Sequence, residues 1–408
     1  MAAASTIYLD NHATTRLDPR VLEAMLPWLT DHYGNAGSTT HELGREARAA
    51  VDEARATFAA AIGATPREIV FTSGATESAN LAILGTAARI RRLTGGISRG
   101  QFVTVATEHA AVLDPLAHLE QAGFEVVRLP VVQQEDAAGQ PGRIQLADLR
   151  AALRPDTILV SVLLANNEIG VIQDIPAIAE IVHAAGAVLH VDAAQGLGRM
   201  TVDVDALGAD LASFSGHKCH GPKGVGAVYV RRRGRAVRIE PLVYGGGQER
   251  GLRSGTLDVP AIVGLAEAAR LANAELAADV PRMQGLRDSL WTMLAGSIPG
   301  LALNGPSLEA CDPSGRLVRL VNNLNVHVPE VDGQSLLATL AADGLALSSG
   351  SACASESPGP SHVLQAIGRD QDQARASLRF GLSRFTTAAE VTEAAARISA
   401  GVIRLRSL

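Results

Sequence analysis

Between Ile69 and about Val230 the chain alternates short, almost fully apolar runs with longer stretches whose apolar residues recur every three or four positions. The runs are IVFTSG, QFVTVA, FEVVRL, TILVSVLL, AVLHVDA and VGAVYV, and segments such as ESANLAILGTAARI and DIPAIAEIVHAAG lie between them. Strands apolar on both faces, alternating with amphipathic helices, predict an α/β fold with a mainly parallel, helix-covered sheet. Ligands in such folds sit beyond the carboxyl ends of the strands. After Pro260 the pattern becomes a long Ala/Leu-rich helical stretch, AIVGLAEAARLANAELAADVPRMQGLRDSLWTMLAG, interrupted only by Pro281. A strand near VNNLNV, a helix SLLATLAADG, a strand LALSSG, a loop SACASESPGP, a strand ASLRFGLS and a closing helix from Ala388 then predict a smaller α+β domain. The expected division is a large domain over residues 16–262 and a small domain built from 1–15 and 263–408, the latter carrying Cys353.

Length supports two domains, since 408 residues exceed what one hydrophobic core usually organises. A net charge of -6 and an aromatic content of 3% argue against a general nucleic-acid binder. No apolar run approaches the ~20 residues of a membrane span, and MAAASTIYLDNHATT lacks the basic flank and apolar core of a signal peptide, so a cytoplasmic protein is expected. Cys219, Cys311 and Cys353 are too scattered for a disulfide framework or a paired CxxC zinc site. The basic run RRRGRAVR, residues 231–238, reads as a solvated edge or as a docking surface.

Four places carry candidate chemistry. Lys218, in SFSGHKCHGPKG, follows an apolar strand and enters a glycine-rich turn; the residue alone admits either a Schiff-base amine or an ordinary surface lysine. In VDAAQ, Asp192 ends a strand with Gln195 three residues on, which suits a carboxylate holding a heteroaromatic nitrogen protonated and equally suits a helix cap. FTSGATES presents Gly74, Ala75 and Thr76 at a helix N-terminus, a favourable seat for phosphate, and TEHAAV places His109 just past a strand. In SSGSACAS, Cys353 lies among small residues, as suits a thiol that visits more than one site.

Together these motifs, with YLDNHATT, GNAGS, LLANNEIGVIQDI, GGGQERGLRSGT and SLRFGLSRFTT in the same order, resemble the pyridoxal-phosphate-dependent cysteine desulfurases of the NifS/IscS type. The resemblance implies PLP fold type I, with a seven-stranded sheet in the large domain, and a homodimer. It implies that Lys218 holds the cofactor, that Asp192 faces its pyridine nitrogen and that His109 stacks on its ring as an acid/base residue. Asn167 and Gln195 match contacts to the phenolic oxygen. Ala75, Thr76, Ser215 and His217 match the phosphate site, with Thr256 supplied by the other subunit. Arg379 matches the arginine that pairs with the carboxylate of L-cysteine, with Asn167 also at the substrate. The implied reaction turns L-cysteine into L-alanine and leaves a persulfide on Cys353 for an acceptor such as an iron–sulfur scaffold. A selenocysteine lyase, a β-lyase or a transaminase of the same fold shares the cofactor residues, and a non-enzymatic sulfur-relay subunit is the third reading.

Departures from the family pattern are Cys219 and His220, where an apolar residue and an aromatic one are common. Cys219 reads as a small packing residue. With His217, the pair raises the alternative of a zinc site, although no fourth ligand is in view. The chain closes at RLRSL, without the tail by which some members dock the iron–sulfur scaffold, which leaves the acceptor open.

Overall fold

The computed structural model describes residues 6–136, 140–349 and 359–407. Seven strands form the central sheet, in the order Ile69–Thr72, Gly226–Val230, Leu211–Ser215, Val188–Asp192, Thr157–Leu163, Gln101–Val105, Glu125–Leu129. Only Gly226–Val230 runs antiparallel to its neighbours. The remaining pairings between neighbours are parallel, so their carboxyl ends point the same way. The predicted strands of the large sheet, including the one ending in Ser215, are all present.

Successive strand residues face opposite sides of a sheet, and the core divides accordingly. Phe71, Val103, Val160, Leu189, Val191 and Phe214 join one apolar cluster with the helices Glu42–Ala61, Ile175–Ala184 and Val259–Ala274. Val70, Phe102, Leu159, Leu211 and Val228 join another with the helices Ala75–Leu93 and Ala110–Gln121. A third cluster lies apart, where Leu324, Val326, Leu378 and Phe380 of a four-stranded sheet pack against the helices Leu276–Ser297, Gly333–Ala342 and Ala388–Arg406.

Two expectations for the second half of the chain are corrected. The long helical stretch breaks at Glu275 and not at Pro281, which lies inside the second helix. Glu275 sits between two guanidinium groups, those of Arg20 and Arg384, which hold the corner. The predicted strand LALSSG is two short strands in different sheets: Leu345–Ala346 pairs with Ile7–Tyr8, and Ser348–Ser349 pairs with Ser377–Gly381. Residue 262, the expected end of the large domain, falls within Val259–Ala274, whose Leu265, Ala269 and Leu271 belong to the large core.

One close approach ties the sheet to the site beyond it. Gly74 ends the turn after Ile69–Thr72 with φ 153, in the region that favours glycine, and packs against Gly226 of the neighbouring strand. A Cβ on Gly226 would stand 2.4 Å from the Phe214 carbonyl oxygen and 2.6 Å from Gly74 Cα. Both obstacles are backbone, so neither yields. Gly226→Ala is expected to destabilise the fold by about 3 kcal/mol, as overpacking of a rigid contact does, measured by denaturant unfolding against the native chain.

Candidate functional site

The carboxyl ends of the parallel strands open into one cavity of about 530 Å³. Nine of the predicted site residues line it: Ala75, Thr76, His109, Asn167, Asp192, Gln195, Ser215, His217 and Lys218. They come from five separate stretches of chain, each at or just past a strand end, which is why no single motif revealed the site.

Asp192 is the last residue of the strand Val188–Asp192 and is buried. One carboxylate oxygen accepts the Ala194 N–H at 3.0 Å, closing a tight turn where no helix begins. Burial holds its carboxyl above the ordinary range, an effect that the Ala194 N–H, His109 and Lys218 partly offset. A desolvated carboxylate at the floor of a cavity is stabilised by a cationic N–H partner, as a protonated heteroaromatic nitrogen provides. Two residues earlier on the same face, His190 is bracketed by the Ser161 and Ser213 hydroxyls, each 2.8 Å away. Burial depresses its pKa to about 3, so a neutral ring lies beneath Asp192.

Lys218 ends the short turn Gly216–Lys218 that follows the strand Leu211–Ser215. Its Nζ donates to the carbonyls of His12 at 2.6 Å and Ala13 at 2.9 Å, which fixes the amine at the cavity wall. His109 caps the helix Ala110–Gln121: its Nδ1 accepts the Ala111 N–H at 3.0 Å. With Nδ1 engaged as an acceptor, Nε2 is the ring nitrogen that carries the proton.

Also at the cavity wall, Gly74 caps the helix Ala75–Leu93 without any side-chain bond, so its first N–H groups stand ready for an anion. Ser215 and His217 face the same region. His217 Nδ1 lies 3.1 Å from the Thr14 hydroxyl, and burial together with Lys218, Lys223 and Arg199 lowers its pKa to about 4, leaving a neutral ring beside the anion seat. An amine, a buried carboxylate and a helix N-terminus around one cavity fit a flat, phosphorylated heteroaromatic ring.

Sequence reasoning missed the groups that orient this set. Gln195 Oε1 accepts from Arg199 at 2.5 Å and stands 3.1 Å from His12 Nδ1, while its Nε2 donates to the His12 carbonyl. His12 Nε2 in turn faces the Asn323 amide at 3.2 Å. Burial, then the charges of Arg199 and Arg379, press the His12 pKa well below the usual histidine range, so this ring is neutral and acts only to align Gln195. Glu108, fully buried, accepts the Leu163 N–H at 2.5 Å and ties the His109 turn to the neighbouring strand. Its carboxyl is pushed well above the usual range by burial and by nearby Asp192. His12 lies in YLDNHATT and Glu108 in TEHAAV, yet neither spacing announces a buried orienting partner.

Of the three remaining predicted residues, two stand apart from the cavity wall. Arg379, buried in the strand Ser377–Gly381, pairs with Asp10 at 2.7 Å and reaches the Asn167 carbonyl at 3.4 Å. Thr256 is exposed, away from this chain's own cavity. Cys353 lies outside the described residues. The zinc alternative finds no support in the geometry of its three side chains. His217 faces the cavity and Thr14, Cys219 packs into the core, and His220 meets the Arg16 carbonyl and the ring of Phe385. Among the described residues no group of three or more His, Cys, Asp or Glu side chains is placed to hold a metal ion.

Comparison with known proteins agrees with this arrangement. The profile of the family "Aminotransferase class-V" matches residues 7–393. "Cysteine desulfurase IscS" of Neisseria meningitidis serogroup A is 50% identical over all of this chain and 95% of its own length. A solved "NIFS-LIKE PROTEIN" superposes with a TM-score of 0.85 at 36% identity, over 97% of this chain and 98% of that one. Another, titled "SspA in complex with cysteine", gives 0.76 at 34% identity over 94% of this chain and 100% of that one. With its sheet order, its cavity at the strand ends and these likenesses over its full length, the chain belongs to the aminotransferase class-V family, among its cysteine desulfurases.

Proposed function

We propose that this chain is a pyridoxal-phosphate-dependent cysteine desulfurase that converts L-cysteine to L-alanine and passes the sulfur to Cys353. The observation that carries the reading is the convergence of Lys218, Asp192 and the capless N-terminus of Ala75–Leu93 on one cavity. Lys218 holds the cofactor, Asp192 faces its ring nitrogen, and Ala75, Thr76, Ser215 and His217 seat its phosphate. When bound, the cofactor supplies an electron sink for carbanion chemistry at the substrate Cα.

The chain's own groups do the rest. Lys218 Nζ takes the Cα proton of the substrate and returns it. His109, whose Nδ1 is engaged by Ala111, works through Nε2, stacking on the ring and exchanging the proton of the reacting thiol. Gln195, aligned by His12 and Arg199, presents its amide to the ring oxygen alongside Asn167. Arg379 takes the substrate carboxylate. Its Nε is buried without an acceptor among the described residues, an arrangement that a carboxylate oxygen completes.

The division of thiol chemistry follows from environment. Cys219 packs in the core beside Lys218, and burial pushes its pKa up to about 11. At neutral pH it is a thiol, unsuited to attack sulfur. The sulfur acceptor in this proposal is Cys353, the role that the resemblance of SSGSACAS to the desulfurase motif implies.

We further propose a homodimer that shares its sites. Leu22, Leu26 and Leu29 of the helix Pro19–Thr30 are exposed, as are Tyr33, Val243 and Tyr244, an apolar surface of the kind that pairs with a second copy. Thr256, exposed on the following segment, then reaches the partner's phosphate seat. No helix among the described residues is long and apolar enough to cross a membrane. A cytoplasmic location and delivery of the sulfur to an iron–sulfur scaffold or a similar acceptor complete the proposal.

Purified protein is expected to show the visible absorbance of a lysine-bound cofactor, and Lys218→Ala to lose it. Cys353→Ala should keep the colour and release no sulfide from L-cysteine, and mass spectrometry of the native Cys353 peptide after L-cysteine should show one added sulfur atom. Full-rate sulfide release from Cys353→Ala would defeat the mechanism, and pyruvate with ammonia in place of alanine would point to β-elimination. Brief alkylation of the folded protein at pH 8 should label exposed Cys311 and spare Cys219, whose thiolate fraction there is about 0.1%. For the shared site, mixing Lys218→Ala with Thr256→Ala chains is expected to restore one complete site per mixed dimer, read as activity above that of either variant alone.

A further inference from the structure

Arg379 carries a charge that the structure already neutralises. It is 0% exposed in the strand Ser377–Gly381, and its carboxylate partner is Asp10, at 2.7 Å from Nη2. Asp10 is fixed by backbone: it bridges to Gly381, two residues beyond Arg379, and the Tyr8 hydroxyl donates to its carbonyl at 3.2 Å. The ion pair leaves the guanidinium incompletely used. Nη1 reaches the Asn167 carbonyl only at 3.4 Å, and Nε, buried, has no acceptor among the described residues. An arginine fork presents five N–H donors, so Asp10 occupies part of it while a second carboxylate has a place beside it.

Resting on the reading of Arg379 as the seat of the substrate carboxylate, we propose that Asp10 is a built-in competitor that sets substrate specificity. The pair is intramolecular, so Asp10 faces Arg379 at an effective concentration in the millimolar range or above. A free carboxylate meets both this competition and the repulsion of the Asp10 charge. A substrate held at its amine presents its own carboxylate intramolecularly as well, and so takes the Nε side of the fork, which Asp10 leaves unengaged. The device selects amino acids over simple thiol acids and other small carboxylates. Asp10 is therefore a positioning and specificity residue, acting through Arg379.

Asp10→Asn keeps an oxygen acceptor for Nη2 while removing the charge. The test uses the holoenzyme and 3-mercaptopropionate, which has the thiol and carboxylate of cysteine without the amine. Titration calorimetry is expected to show at least ten-fold tighter binding to Asp10→Asn than to the native protein. KM for L-cysteine should fall severalfold with kcat unchanged and the cofactor absorbance unaltered, a split that a merely structural role would not produce. Asp10→Ser, a smaller neutral acceptor, carries the same expectation and decides the matter if the first variant does not fold. Equal or weaker binding of 3-mercaptopropionate to the folded variant, with Arg379→Lys still raising KM for L-cysteine, would overturn the role of Asp10 alone. If Arg379→Lys leaves KM unchanged, the reading of Arg379 itself falls.

Discussion

The structure is organised around a carboxylate held out of water. Asp192 terminates a central strand of a seven-stranded sheet, where parallel neighbours on both sides leave little room for solvent. A buried carboxylate that lacks a cationic partner is destabilising, and its surroundings respond in two ways. The Ala194 N–H and the nearby Lys218 and His109 offset part of the penalty. The surroundings carry little charge: His190 is uncharged, and the Glu108 carboxyl is pushed well up by burial and by Asp192. Of the two carboxylates at the cavity wall, Glu77 is paired with Arg253, so Asp192 is the one that a cationic N–H in the cavity would satisfy.

Neutral histidines do the orienting elsewhere in the site. His12, His190 and His217 all have pKa values lowered by burial, and each engages a group that touches or underlies the cavity. A protonated His12 would lose its acceptor at Nε2 and break the contact with Asn323. Alignment of Gln195 therefore depends on that ring staying neutral, which burial and the charge of Arg199 secure. The second sheet contributes through the same logic. Pairing of Ser377–Gly381 with Asn323–His327 sets Arg379 opposite Asn325, and the adjoining bridge at Asp10 brings the N-terminal motif to its guanidinium.

Much of this was legible along the chain because apolar runs buried on both faces declare themselves without tertiary information. Six of the strands and a site at their ends follow from that pattern; the seven-stranded count and residues such as Asn167, Ser215 and His217 came only from the family resemblance. Features that depend on charge in three dimensions were not legible. Glu275 breaks the long helix because Arg20 and Arg384 converge on it from 255 and 109 residues away, whereas Pro281, the obvious breaker in sequence, is accommodated inside the next helix. LALSSG reads as one strand because a local pattern cannot show that its halves join different sheets. The buried partners Asp10, His12 and Glu108 sat inside quoted motifs, yet their roles come from neighbours contributed by distant strands.

Cys219 shows why proximity is a poor guide to reactivity. It adjoins Lys218 in sequence, and a neighbouring ammonium by itself favours a thiolate. Here the backbone turn sends the two side chains in opposite directions, Nζ to the cavity wall and Sγ into the large apolar cluster, where it meets the Gly216 carbonyl at 3.4 Å. Desolvation then outweighs every charge nearby, including those of Arg199 and Arg384, and the thiol stays protonated. A thiolate at that position would also draw on Arg199, which is needed to align Gln195. Burying the sulfur keeps the amine, the guanidinium and the cavity free of a competing nucleophile.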